Sequence, residues 1–360
     1  MTTPRGVYLH VPFCLRKCPY CDFYSVQITP ALTDAYTEAV CRNLRRYGDH
    51  GPLQTIYFGG GTPSLLSPRQ VDTILETARQ VFDVDPDAEI TLEANPATVD
   101  REALAELRSC GVNRLSVGVQ SLQDTELQAL GRLHSAHQAF EILEAAHAVG
   151  FTNLSADVML ATPGQTLASL TETLKQLTQL PLTHISAYLL KIESETPFGK
   201  NHAESQCPDD DQAADFYLAT VDQLADAGFL QYEVSNFAKP GYESRHNCLY
   251  WRCQPYLGLG PSAHSDWNGT RFYVPNDVHA FISMDAQPEL LEDANPHSTE
   301  ERLMLRMRLV EGAPREAFAP EKAEDIDRYL DGGFLVTKED NIAFTPKGFL
   351  VSNTILADLL

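Results

Sequence analysis

The sequence predicts an α/β protein: a partial (β/α)6 TIM-like barrel, then an α+β extension, then a C-terminal winged-helix-like domain. Three observations lead there. Six short β-rich runs alternate with helical stretches in the first half of the chain, the pattern of a parallel sheet. Glycines and polar residues follow the ends of those runs. After about residue 200 the alternation weakens. The expected divisions are 1–235, 236–295 and 296–360.

The strands are read at Val7–Val11, Thr55–Phe58, Glu89–Glu93, Arg114–Val119, Leu154–Leu160 and His184–Leu190. Helices between them have recognisable ends. Ser67-Pro68-Arg69-Gln70 is a capping box with proline at the first helical position, and Val71, Ile74, Leu75 and Ala78 share one face of the helix it opens. A second helix runs from about Ala136 to Val149, with Gly150 as its stop. Asp209 to Asp211 open a helix that runs to Ala227. In the last unit, helices at Thr299–Val310 and Glu321–Leu330 precede a hairpin at Leu335-Val336 and Ile342 to Phe344, then a helix from Pro346. That unit is rich in Asp and Glu, which favours a protein-facing or substrate-covering module over one that binds DNA.

The chain has 360 residues and a formal net charge of −22. A field of that sign repels phosphate backbones, and no basic patch offsets it, so no nucleic-acid partner is expected. No run of about eighteen apolar residues suggests a transmembrane helix, which leaves peripheral membrane contact open. The Met-Thr-Thr-Pro-Arg start shows no export signal, and the eight cysteines are then expected as reduced thiols in the cytoplasm.

Barrels of this kind carry function at the C-terminal ends of their strands. Cys14, Cys18 and Cys21 follow strand one as Cys-x3-Cys-x2-Cys. Three soft thiolates suit a four-iron cluster with one iron left open. A zinc site and a Cys-x-x-Cys redox pair remain alternatives on the cysteines alone. Gly59-Gly60-Gly61-Thr62-Pro63 follows strand two, where it is either a tight turn or a close approach of backbone to ligand. Glu93, Gln120 and Asp157 end or follow strands and are expected at one barrel mouth. Arg132 is a candidate partner for a carboxylate. A second cluster, His246-Asn247-Cys248-Leu249-Tyr250-Trp251, offers an imidazole with aromatics, suited to a flat metalloporphyrin or to a half-buried loop.

Taken together, these segments resemble the radical SAM superfamily and, within it, the HemN/HemW group. The match runs through His10-x-Pro12-Phe13-Cys14, the glycine turn, Glu93-Ala94-Asn95-Pro96, Ser116 to Ser121, Asp157, Pro163 to Thr166, Tyr232 to Ala238 and Gly258-Leu259-Gly260, nearly the whole chain. The oxidase branch carries a further cysteine where this chain has Phe23, whereas His-Asn-x-x-Tyr-Trp marks the chaperone branch. The resemblance implies a 4Fe–4S cluster on Cys14, Cys18 and Cys21. It implies S-adenosylmethionine (SAM) in a pocket of Tyr8, Gly60, Gly61, Thr62, Glu93, Gln120, Arg132 and Asp157. It also implies heme near His246, Tyr250 and Trp251, and heme transfer to an acceptor protein. Oxygen-independent coproporphyrinogen III oxidation is the alternative, so whether the protein is an enzyme stays open here, as do its oligomeric state and any role of Cys248 or Cys253.

Overall fold

The structure, a computed structural model, describes residues 5–360; part of the stretch read above for an export signal lies outside them. Six parallel strands form the barrel wall in sequence order: β1 (Gly6–Val11), β2 (Pro52–Gly60), β3 (Asp83–Ala94), β4 (Arg114–Gln120), β5 (Asn153–Leu160) and β6 (His184–Leu189). All six positions expected from the alternation of apolar runs are strands. Helices cover their outer face: α1 (Pro30–Tyr47), α2 (Pro68–Val81), α3 (Arg101–Cys110), α4 (Ala136–Ala148) and α5 (Leu167–Thr178).

Local chemistry explains the element ends. Ser67 accepts from the Gln70 N–H while the Gln70 side chain accepts from the Ser67 N–H, the reciprocal box expected for α2. Ser135 and Gln138 do the same for α4, and Gly150 takes φ +101° just beyond it, a turn that a side chain would strain. The apolar face of α2 (Val71, Ile74, Leu75, Ala78) is buried against the sheet with Val7, Leu9, Ile56 and Phe58. Burying such side chains stabilises the layer by about 1.5–3 kcal/mol each.

The sheet does not close. Beyond β6 come two short antiparallel strands, β7 (Leu230–Glu233) and β8 (Asn236–Ala238), after the helix α6 (Asp210–Asp226). Beyond β1 the sheet continues with β9 (Tyr256–Leu259), parallel to it, then β10 (His264–Trp267), β11 (Thr270–Tyr273) and β12 (Leu290–Asp293). The result is one twelve-stranded sheet in the order β12-β11-β10-β9-β1-β2-β3-β4-β5-β6-β8-β7. The stretch expected as a separate extension thus shares its sheet with the barrel, and a division at 235/236 falls between the paired strands β7 and β8.

Between β8 and β9 the chain crosses from one end of the parallel arc to the other. The crossing carries a short helix, α7 (Arg245–Trp251), which lies at the N-terminal ends of the barrel strands and forms the floor of the lumen. Ser244 caps it, and Glu89 of β3 accepts the N–H groups of Arg245 and His246, both at 3.0 Å. Gly6 of β1 makes room for it: a Cβ there would lie 2.7 Å from Leu249 and 3.1 Å from the His246 ring.

The C-terminal residues form a three-stranded antiparallel sheet, Ala313–Pro314, Asn341–Phe344 and Leu335–Lys338 in that order, with helices at Ala323–Asp331, Pro346–Leu350 and Ser352–Leu359. The helix expected at 299–310 ends at Arg306, because the chain turns there to pair Leu309 with Glu233.

Replacing Glu89 by Ala removes both acceptors at the head of α7 and leaves one buried and one part-buried donor unpaired. The expected cost is about 2 kcal/mol. In a Trp267→Phe background, Trp251 emission should shift to the red as the helix loosens. Unchanged emission and melting temperature would show that other contacts hold α7.

Candidate functional site

A cavity of about 470 Å³ opens at the C-terminal ends of the barrel strands and reaches down the lumen to α7. Cys14, Cys18 and Cys21 line its upper rim, all three as free thiols and half-buried. The loop that carries them is tied down by local bonds: the Cys21 N–H donates to the Cys18 carbonyl, and Val26 N–H to that of Pro12. Cys14 Sγ lies 3.5 Å from Thr62 Oγ1, and Arg132 Nη1 lies 3.7 Å from Cys18 Sγ. Burial pushes the Cys21 thiol up, with Cys18 and Cys14 adding to the rise. No three His, Cys, Asp or Glu side chains converge on a single-ion site among the described residues. Three thiols on one rim suit a cubane, which takes each thiolate on a different iron.

Below the thiols, the wall of β2 ends in glycines. Gly60 has φ +104°, and a Cβ on Gly61 would lie 2.7 Å from the Phe13 carbonyl oxygen, so the backbone there comes close to the thiol loop only because side chains are missing. Gln120 is held at φ +67°, where the pairing of β4 with β5 slips register between Val117 and Gln120. This strained position turns the end of β4 toward the cavity. Gly60, Gly61, Thr62, Glu93, Gln120, Arg132 and Asp157 all line the one cavity. Tyr8 does not; it stands behind Tyr57, its ring 6.1 Å away and its hydroxyl 3.2 Å from His10 Nδ1.

The lumen is lined with charge. Burial, then the neighbouring Asp157, pushes Glu93 up from 4.5 to about 7, against the pull of its hydrogen bond from Tyr57. Burial also raises Asp157, although Ser186 and Ser116 donate to it. Arg114, only 2% exposed, projects into the same lumen from the start of β4, and its Nε has no partner. Burial opposes its charge, but Glu89, Tyr57, Tyr232 and Asp157 outweigh that and hold it above the ordinary range. Arg132 behaves alike: burial opposes it, and Tyr20 and Cys18 hold it up. The Arg132 Nη2 donates to the Gly118 carbonyl, which points the guanidinium at the thiol rim.

The His-Asn segment divides its side chains among different surroundings. His246 is 1% exposed, and both ring nitrogens are engaged, Nδ1 with Thr55 Oγ1 and Nε2 with the Tyr250 hydroxyl, each at 2.7 Å. Burial, and then Arg114, lowers His246 to about 3, so the ring is neutral. It stacks on Tyr57 with centroids 5.0 Å apart. Tyr250 borders a separate 240 Å³ cavity that includes His264 and His297, and the Arg308 guanidinium covers Trp251 at 4.3 Å. His246, Tyr250 and Trp251 therefore do not share one open face. Beneath α7 lies a larger cavity of about 630 Å³, lined by Arg245, Cys248, Leu249, Arg252, Leu309 and Val310 among others.

Sequence reasoning missed Tyr57, Arg114 and Asn247, which all border the thiol-rimmed cavity. Arg114 left a signal, a charge at the head of an otherwise apolar strand. Asn247 stands in the His-Asn-x-x-Tyr-Trp motif, but its place at the thiol-rimmed cavity depends on the return of the chain beneath the barrel.

Comparison with known proteins gives three concordant results. The radical SAM superfamily model matches residues 8–177. The heme chaperone HemW of Escherichia coli (strain K12) is 35% identical, over 98% of this chain and 97% of its own length. That of Lactococcus lactis is 32% identical, over 99% and 97%. Among solved structures, coproporphyrinogen III oxidase (HemN) from Escherichia coli superposes with a TM-score of 0.83 over 99% of this chain and 90% of that one, at 22% identity, and shares the fold.

The Glu93 shift has a testable sign. A carboxyl raised in the folded state contributes stability that is fully present below its unfolded value and lost as pH rises through about 7. Glu93→Gln keeps the neutral shape at every pH. The cluster-free variant should match wild type near pH 5 and exceed it near pH 8, by about 2 kcal/mol after allowing for solvent in the cavity. Parallel stability curves from pH 5 to 8 would show that Glu93 is not perturbed.

Proposed function

Since this chain belongs to the radical SAM superfamily and, within it, to the HemN/HemW group, we propose that it is a heme chaperone that binds heme and passes it to an acceptor protein. The observation that carries this reading is its similarity to heme chaperone HemW along nearly the full length of both chains. Phe23 supports it too: it stands 61% exposed at the cavity mouth, where the oxidase branch has a thiol.

Cys14, Cys18 and Cys21 would hold a 4Fe–4S cluster, and the cavity below them SAM. When bound, the two together supply one-electron reductive chemistry. The residues of the chain have separable tasks. Glu93 offers its carboxylate to a cationic group, and a cation there would draw its titration back down. Arg132, held beside Cys18 by Gly118, suits a carboxylate. Gly60 and Gly61 leave backbone open to the ligand, and Asp157, fixed by Ser116, suits hydroxyl groups.

Heme is the cargo. His246 is its candidate axial ligand, and the 630 Å³ cavity beside α7 offers an apolar wall of Leu249, Leu309 and Val310 next to Arg245 and Arg252. An imidazole nitrogen can bond iron only after releasing its present partner, so heme uptake at His246 requires α7 to shift. The two arginines suit the propionates, which the overall charge of −22 would otherwise repel.

Three experiments test the reading. Anaerobically reconstituted protein should hold about four irons per chain, and Cys18→Ser should lose them. Hemin titrated into wild type should give a Soret band that shifts and weakens in His246→Ala, and coproporphyrinogen III should not be turned over in the presence of SAM and reductant. Repeated turnover of coproporphyrinogen III with carbon dioxide release would replace the chaperone by the oxidase, and a His246→Ala spectrum identical to wild type would remove this ligand.

A further inference from the structure

Helix α7 belongs to two cavities. Its outer face borders the 630 Å³ cavity through Arg245, Cys248 and Arg252, and Asn247 borders the cavity beneath the thiol rim. The Asn247 backbone N–H is satisfied by Ser244, but its side-chain amide has no protein partner among the described residues. An unpaired amide at the floor of a narrow lumen is a donor and an acceptor presented to whatever fills it. One residue away, His246 is linked to the same lumen by a chain of contacts: its ring stacks on Tyr57 at 5.0 Å, and the Tyr57 hydroxyl donates to Glu93 at 2.8 Å.

We propose that Asn247 contacts bound SAM, that Tyr57 is the positioning residue joining Glu93 to His246, and that SAM and heme consequently oppose one another's binding. The heme half of this statement rests on the reading that His246 receives heme. Adjacent residues on a helix point about 100° apart and move as one body. The head of α7 is pinned by Glu89, so His246 cannot leave Thr55 and Tyr57 of β2 while Asn247 keeps its place. SAM in contact with Asn247 binds the inward state of the helix, whereas heme on His246 binds the outward state. Each ligand then draws the population away from the other, and the linkage is reciprocal. In a chaperone this gives SAM a role that requires no cleavage: its binding would favour release of heme to the acceptor.

The test measures SAM by equilibrium dialysis and hemin by Soret titration on the reconstituted full-length protein. Saturating SAM should weaken hemin binding roughly fivefold or more, and saturating hemin should weaken SAM by the same factor. Asn247→Ala should weaken SAM roughly tenfold. Tyr57→Phe, which keeps the ring but not the bond to Glu93, should bring the mutual factor toward one, a change that a merely structural role would not produce. If Asn247→Ala fails to take up its cluster, Asn247→Ser replaces it, with weakening again expected. Equal hemin affinity with and without SAM overturns the opposition, and wild-type SAM affinity in the Asn247 variant overturns the contact. A wild-type protein that takes up no hemin defeats the chaperone reading instead, and the Asn247 result still decides the contact.

Discussion

The lower half of the barrel depends on the Glu89 carboxylate. It is buried within β3, and by accepting two backbone N–H groups it fixes the head of α7 across the open side of the sheet. A buried carboxylate without such donors would be costly, and a helix head without acceptors nearly so. Together they satisfy each other, and Arg114 lies close enough to add its field. With α7 in place the lumen has a floor, the His246 ring has a pocket of tyrosines, and the chain can return to the sheet as β9.

The same economy of charge governs the upper half. Two carboxyls, Glu93 and Asp157, and two guanidiniums, Arg114 and Arg132, line one cavity, and burial, Asp157 and Arg114 all act on Glu93 within it. Glu93 is poised near neutrality because Asp157 is close and burial is deep, while Arg132 is turned to the thiols by one carbonyl. Such an arrangement favours a ligand that brings both a positive and a negative group. That is the chemistry of an amino-acid-bearing sulfonium.

Much of this was legible in the sequence, and the rest was hidden for identifiable reasons. The parallel strands announce themselves as apolar runs because both their faces are covered. Glu93, Gln120 and Asp157 could be named because barrel strands deliver their last residues to one mouth, so that position along the strand is enough. Strands β9 to β12 are short and lie where the alternation of apolar runs weakens, and their place beside β1 is set by contacts far apart in sequence. The His-Asn segment was visible as a motif, yet its separation into an inward histidine, a tyrosine beside another cavity and an arginine-covered tryptophan depends on how α7 docks. A list of residue types cannot supply that orientation.

In the proposed function, one helix is both the floor of the cofactor cavity and the carrier of the histidine offered to heme. Amide hydrogen exchange across residues 244–252, followed by mass spectrometry in the cluster-loaded protein, addresses it most directly. SAM is expected to slow exchange in this segment and hemin to accelerate it, while the barrel strands β1 to β3 stay unchanged. If hemin binds and leaves the segment as protected as SAM does, His246 receives no iron by leaving its pocket, and the shared-helix account is wrong.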